Sequence, residues 1–439
     1  MHFKNEIFLL KKYYSQQKDY SYLLFDMAIF IMPTTLSISV TLLIICSLKN
    51  IFCDYKLLFY DNWNKSLLIS SFLLTLSCLW NYFDKNLATN YPSILMDSSY
   101  FVGLFNWIPL FILFIGCQPY LNSQTLRKKF ALILLAGTFP VLFMGIMQGF
   151  FGIYGPFKSP LDLIVWFQRP INSITDLTSI FNNPNYYGSW LNIIWPFCLA
   201  TTIGFSKKII PQLFKLFFLV LTPLSIVLTS SRGAWLGLIF SLVFFFGKRG
   251  LKFILPILFF IGLLCLSIMY PILGFNFQEF LKELIPSGLW INIIPSSYDN
   301  IEIERLEIWN FAIQKISERP FWGFGASYFP KFLEAQTSYW RGHAHNLPLE
   351  LAFSFGLPAA ISVIFPIFSI TFLSIKNYIL NNKNYFEKYN IEKAYAISLI
   401  FLMINHFFDV VYFDGRISIA GWLLISGLRN MNSENNFCN

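Results

Sequence analysis

Two of the four histidines stand at i and i+2, His343 and His345, in the run RGHAHN. Imidazole titrates near neutrality and can take a proton from a hydroxyl as that hydroxyl attacks. One of the pair is therefore a candidate general base. Arg232 in TSSRGAWLGL and Arg305 in ERLEIW offer planar forks of donors that fit phosphate oxygens. Ser230 and Ser231 add hydroxyls, and a helix beginning at Arg232 would turn its N-terminal amides toward an anion. Arginines for an anionic leaving group and a histidine for an incoming hydroxyl make a group-transfer site. Each residue also has a plainer role open to it. Arg232 would snorkel at a membrane interface, Arg305 would pair with Glu304 and Glu307, and His345 would help Asn346 cap the next helix. Histidines at i and i+2 without a nearby Cys and with few acidic companions make a weak metal site, so no metal and no other cofactor is expected.

These side chains must be positioned by a membrane bundle. The 439 residues are 56% hydrophobic and 13% charged, with mean hydropathy +0.56, whereas soluble domains carry about 25% charged residues. The expected fold class is an all-α polytopic transmembrane bundle. The net charge of +9 lies mostly in short Lys-bearing loops, which speaks for orientation and contact with anionic membrane lipid and not for nucleic acid. The seven cysteines show no CxxC spacing and read as small apolar fillers. Residues 1–21 are polar without a cleavage motif, so no cleavable signal peptide is expected.

Apolar runs at 22–48, 66–83, 100–117, 129–150, 187–205, 210–229, 232–247, 252–274, 347–374, 394–413 and 416–429 approach the roughly 20 residues that cross a hydrocarbon core. The positive-inside rule places the loops bearing Lys49/Lys56/Lys65, Arg127/Lys128/Lys129, Lys207/Lys208, Lys248/Arg249/Lys252 and Lys376/Lys383/Lys388/Lys393 in the cytoplasm. Lys4, Lys11, Lys12 and Lys18 put the N-terminus there too. Both hold if 22–48 is a hairpin broken near Pro33, which gives about 12 helical elements with both termini inside. A single 27-residue span is the alternative. Segments 84–99, 151–186, 275–346 and 409–416 then lie outside. Within the long outer loop, IEIERLEIWNFAIQKI reads as an amphipathic lid helix with Ile303, Leu306, Ile313 and Ile316 on its apolar face. The tail NMNSENNFCN reads as frayed. The chain divides into N-terminal transmembrane helices (1–150), a core (151–374) that includes the outer loop 275–346, and a C-terminal hairpin and tail (375–439).

Arg169, Arg232, Arg305, Arg341 and Arg416 all fall on the outer side, where the positive-inside rule makes arginine scarce. An anionic ligand held there is a sufficient reason; Arg319 is a weaker candidate. Asn182, Asn183 and Asn185 in FNNPNYYGSW read first as a turn that starts a helix, with amides able to contact a sugar. Glu350, one turn past His345, should face the bundle interior and could orient a histidine or bind a sugar hydroxyl. His406 and Asp409 close the eleventh element with a similar ambiguity.

SSRGAWLGL (230–238), ERLEIW with RPFWGFGASYFP (304–330), GHAHNLPLELAFSFGLPAA (342–360) and FNNPNYYGSWL (181–191) together resemble the O-antigen ligase and polymerase family of membrane proteins. The resemblance covers most of 169–360, and the first 150 residues match only as a hydrophobic pattern. It implies a GT-C-like, metal-independent inverting glycosyltransferase acting on an undecaprenyl-diphosphate-linked glycan donor. The acceptor would be lipid A-core, another glycan or a protein. Arg232 and Arg305 would hold the diphosphate and His345 would be the base, with His343 second; Arg169, Arg341, Arg416, Asn185 and Glu350 are further substrate-binding candidates. The implied place is the periplasmic side of a bacterial inner membrane, and ligase is favoured over polymerase by HAHN. The endings GHAHNLPLELAFSFGLPAA and VYFDGRISIAGW look most like a cyanobacterial branch, whose members are also labelled inorganic-carbon-transport-related. An anion transporter is therefore the rival reading; it predicts polar groups near the midplane.

Overall fold

The structure, a computed structural model, describes residues 19–84, 99–160, 164–171, 173–202, 209–272, 274–285, 289, 299–338, 340–380 and 390–438. Lys4, Lys11, Lys12, Lys18, Lys207, Lys208, Lys383, Lys388, almost all of segment 84–99, and the side chains of Ile303 and Glu304 lie outside what it describes.

Among the described residues there are sixteen α-helices and one two-stranded ribbon. The helices are α1 (Ser21–Ile31), α2 (Leu36–Cys53), α3 (Asn62–Phe83), α4 (Ile108–Gly116), α5 (Gln124–Phe151), α6 (Pro184–Thr202), α7 (Ile209–Leu228), α8 (Arg232–Phe246), α9 (Lys248–Met269), α10 (Phe275–Leu284), α11 (Asp299–Glu318), α12 (Phe329–Thr337), α13 (Leu347–Phe355), α14 (Leu357–Ser374), α15 (Asn390–Asn405) and α16 (Gly415–Cys438). Phe157–Lys158 and Val165–Trp166 form the antiparallel ribbon. Five helices are long and apolar enough to cross a membrane: α2, α3, α5, most of α9, and α14 with the turn that follows it. Large apolar side chains such as Phe72 on α3, Phe259 on α9 and Phe365 on α14 are more than 60% exposed. A bundle whose outer surface faces lipid tolerates such faces; a water-facing one does not.

The core is built around α6. Asn183 caps it, its Oδ1 accepting the N–H groups of Asn185 (2.8 Å) and Tyr186. From Tyr187 to Ala200 every residue of α6 is buried, against α15, α8 and α7. Small residues set the spacing: a Cβ on Gly188 would lie 2.6 Å from the Ala234 side chain of α8. Asn192 donates to the Ala234 carbonyl, and Ser398 of α15 donates to that of Ile193.

Several elements are broken where the apolar runs predict continuous spans. Run 22–48 is two helices, α1 and α2, separated at 32–35 next to Pro33; this is the broken form. The eleven residues of α1 rise about 16 Å, half of a hydrocarbon core. Run 100–117 is a 3-10 stretch followed by α4, with Pro109 in the first turn of α4 where its missing N–H is harmless. Run 347–374 breaks at Gly356, which has φ +84°. A Cβ there would lie 2.1 Å from the Phe321 carbonyl oxygen, so only glycine fits. Run 394–413 stops being α-helix at Asn405, leaving His406 and Asp409 in a turn.

The C-terminal tail is a correction. It is helical to Cys438, not frayed. Arg429 pairs with Asp61, Asn430 donates to the Gln118 carbonyl, Asn432 donates to Ser374, and Glu434 takes a bidentate pair from buried Arg127 at 2.8 and 2.9 Å. Arg127 itself lies in α5 and not in a loop. The lid helix α11 is also turned from its expected face. Ile308, Phe311, Ala312 and Ile316 are buried, while Leu306 and Ile313 are exposed.

The two ends of the bundle differ. Lys49, Lys129, Arg127, Arg429 and Lys393 meet their partners at one end. The N-termini of α6, α8 and α13 and the C-terminus of α15 meet at the other.

Candidate active site

The His loop is fixed from both sides. Asn346 caps α13, accepting the Leu349 N–H at 3.1 Å, and donates to the Phe407 carbonyl. The Leu347 N–H donates to the His406 carbonyl at 2.8 Å. The Ala344 N–H donates to Glu350 Oε2 at 2.8 Å. Between these ties His345 takes φ +50°, a left-handed conformation that histidine enters more readily than most side chains. Its N–H donates to His343 Nδ1 at 3.1 Å, and the two rings are 4.2 Å apart. Behind them, the backbone of the RPFWGFG segment is bonded to the break between α13 and α14: Phe324 N–H to Phe353, Gly325 N–H to Ser354, and Leu357 N–H to Pro320. Two separate sequence motifs thus form one clamp.

Asp409 completes the cluster. Its Oδ1 lies 3.3 Å from His345 Nδ1 and 3.8 Å from His343 Nε2. The His345 contact is close enough for an ion pair but out of line for a hydrogen bond. The Val410 N–H donates to Oδ1 at 2.8 Å, and Asn185 Nδ2 donates to Oδ2 at 3.2 Å. Burial alone would raise the Asp409 carboxyl, but the His345 contact, the charges of both histidines and the Val410 N–H outweigh it. Asp409 therefore stays an anion below the usual carboxylate range. His343, whose ring stacks on Phe413 at 5.6 Å, is pushed down to about 4, by burial first and then by His345, against the pull of Asp409. His343 Nδ1 accepts a hydrogen bond, so in the neutral ring the proton sits on Nε2, toward Asp409. For His345 the nitrogen toward Asp409 is Nδ1, which leaves Nε2 as its basic atom.

The carboxylate comes from the close of the eleventh element, where the sequence left Asp409 ambiguous and did not pair it with His343 and His345. Its signal was an acid in the apolar run LMINHFFDVVYF. His343, His345 and Asp409 each bring one ligand-type atom within 4.8 Å of the others. The scarcity of acidic companions seen along the chain therefore does not hold in space, and the same three atoms are a possible cation ligand set.

Arg232 opens α8. A Cβ on the next residue, Gly233, would lie 3.4 Å from Asn405 Oδ1. Asn405 donates to Ser189 Oγ at 2.6 Å, Ser189 to the Asn185 carbonyl at 2.7 Å, and Asn185 to Asp409. A polar chain therefore runs from Asn405, which lies against the start of α8, to Asp409 beside the histidines. Arg305 is half-buried on α11, which packs on α13. The remaining arginines are placed differently. Arg416 chelates Asp414, donates to the Ile180 carbonyl at 3.1 Å, and stacks on Phe181 at 3.8 Å. Arg319 pairs with Asp84 and Asn81. Arg169 is exposed, and its backbone N–H donates to Asn182. Arg341 makes a long local bond to the Trp340 carbonyl. The cluster thus gathers His343, His345, Asn185 and, through the Ala344 N–H, Glu350.

Residues 217–364 match the protein family described as O-Antigen ligase. The matched stretch holds Arg232, Arg305, His343, His345 and Glu350, and leaves out Asn185 and Asp409. The match is to the family as a whole and does not single out a cyanobacterial branch. No curated protein matches the chain.

Proposed function

We propose that this membrane protein, which carries an O-antigen ligase family domain over residues 217–364, moves a glycan from a polyprenyl-diphosphate carrier to an acceptor hydroxyl. His345 Nε2 takes the proton of the acceptor hydroxyl. The hydroxyl oxygen forms a bond to the anomeric carbon of the donor sugar as the bond from that carbon to the diphosphate oxygen breaks. Direct displacement inverts the anomeric centre. The charge left on the diphosphate is met by Arg232 and Arg305, an electrostatic role that needs donors fixed before the reaction. Asp409 stabilises the imidazolium that forms on His345.

The observation that supports this reading best is the Asp409–His345 contact: a buried anion on one ring nitrogen leaves the other free to accept a proton. It also ranks His345 above His343, whose Nδ1 is already an acceptor. The clustering of polar groups at one end of the bundle, away from its middle, weighs against a transporter. The site end is assigned to the periplasm and the Lys-rich end, with both termini, to the cytoplasm of a bacterial inner membrane. Within the family, HAHN favours a ligase over a polymerase; of the 1–150, 151–374 and 375–439 parts, 151–374 carries the histidines and both arginines and 375–439 supplies Asp409.

The test is glycan transfer in a host lacking its own ligase, with the intact chain, His345→Ala and Arg232→Ala inserted at equal levels. Loss of about 10²-fold or more in His345→Ala is expected of a general base. Full transfer by both variants would overturn the site.

A further inference from the structure

Beside the His loop lies a second feature that the proposed mechanism does not use. A cavity of about 160 Å³ opens next to the cluster, far above the roughly 10–15 Å³ that admits one water. Glu350 lines it and is only 4% exposed. Asn106, Ser327 and Ser354 add an amide and two hydroxyls, and Trp107 and Phe413 add aromatic surface. Gly342, next to His343, forms part of the wall, and Phe413 is the ring stacked on His343. The Glu350 carboxylate is itself tied to the His loop through Ala344, so whatever fills the cavity touches the same loop that carries the base.

The lining points to one ligand chemistry. Among the described residues no arginine or lysine lines the cavity, and a buried carboxyl disfavours an anion, so the diphosphate does not belong here. An enclosed space with aromatic walls and a few convergent polar groups is the make-up of a small-molecule subsite. Aromatic faces suit the apolar face of a sugar ring; carboxyl, amide and hydroxyl groups suit its hydroxyls, which both donate and accept.

We propose that this cavity is the subsite for an uncharged sugar ring of the acceptor, held by Glu350, Asn106, Ser327 and Ser354 beside the His loop. The acceptor role rests on the transferase reading above; the sugar site does not. A ring seated here places its hydroxyls next to the loop that carries His343 and His345.

The experiment is saturation-transfer NMR on the full detergent-solubilised chain with methyl glycosides of glucose, galactose and mannose as probes. Glu350→Gln keeps an acceptor for the Ala344 N–H, and Ser354→Val narrows the cavity without touching the loop. Saturation of at least one glycoside, weakened about tenfold or more in both variants and retained in His345→Ala, supports the site. No saturation by any glycoside at millimolar concentration, or saturation unchanged in both variants, overturns it. Kinetics then test the role. A raised acceptor KM with unchanged donor KM in Ser354→Val supports the acceptor assignment, and a raised donor KM alone overturns it. Glycoside binding that needs Glu350 in a chain with no transfer would sink the transferase reading and leave the sugar site standing.

Discussion

The Asp409 carboxylate lies 3.3 Å from His345 Nδ1, although the two residues are carried by different helical hairpins. Under the proposed function Asp409 is a positioning residue that acts on the reaction through His345. Asp409→Asn should retain the tie to Asn185 but lose the anion. The expected outcome is a fall in kcat of about 10²- to 10⁴-fold with little change in donor or acceptor KM, the upper figure being the loss when the carboxylate beside a general-base histidine becomes an amide. The acidic limb of the pH–rate profile, set by protonation of the base, should move to lower pH as well, which a merely structural effect would not produce. A wild-type kcat and profile in Asp409→Asn would show that the contact is incidental.

Arg232 and Arg305 are assigned to the diphosphate, and the fork of the guanidinium is the reason. Lysine keeps the charge but loses the bidentate geometry. Arg232→Lys should therefore transfer at an intermediate rate, between the intact chain and Arg232→Ala, with the loss read mostly as transition-state stabilisation in kcat/KM. Equal rates for Lys and Ala would mean that charge plays no part; equal rates for Lys and Arg would mean that the fork plays none.

His343, His345 and Asp409 could also take a cation. Under the general-base reading, chelator-treated protein should transfer at the untreated rate, and added zinc should inhibit by occupying His345 Nε2 or Nδ1. Transfer lost on chelation and restored by a divalent metal would replace the base with a metal centre.

Gly356 separates α13 from α14 at φ +84°, against the Phe321 carbonyl. Gly356→Ala should cost about 3 kcal/mol or more, from the left-handed conformation together with the clash. The comparison is Gly262→Ala, in mid-helix with nothing within 4 Å of the added Cβ, which should be neutral or stabilising by about 1 kcal/mol. Thermal inactivation in detergent reads both. Equal midpoints would remove the clamp between the RPFWGFG segment and the helix break.

Acid should loosen the site. His343 is held at about 4 in the folded chain against an ordinary 6.5, so unfolding takes up a proton between those values. Stability is then full above pH 6.5 and falls as the pH drops toward 4, with no further loss from this group below that. His406, also pushed down to about 4 by burial, adds to the same window. The thermal midpoint of His343→Gln should fall less steeply between pH 6.5 and 4 than that of the intact chain. Parallel slopes would mean that His343 is not buried in solution.

The apolar runs revealed the class of fold and most of the helices, because twenty or so apolar residues admit few other structures. Hydropathy is blind to where a backbone must bend: the break at 32–35 was read from Pro33 and the lysine pattern, and the break at Gly356 was not read. The packing of α16 beyond Leu428 was illegible for a related reason. Arg429 and the NMNSE that follows are mostly polar, and only partners far away in sequence, Asp61, Gln118, Ser374 and Arg127, hold them to the bundle. The same holds in the site. His345 and Asn346 were visible as a local motif, but Asp409 joins them from beyond α15. The lid helix was recognised, yet its face was misread, because Ile and Leu at several positions around α11 allow more than one apolar stripe.

One consequence of this arrangement concerns synthesis. His345 stands just before α13, and Asp409 follows α15 in the turn that leads to α16. A ribosome making this chain therefore completes Arg232, Arg305 and both histidines before Asp409, so the Asp409–His345 contact forms late in synthesis. If the proposed function holds, a chain ending before Asp409 lacks the carboxylate beside His345, and its full activity waits for the last helical pair.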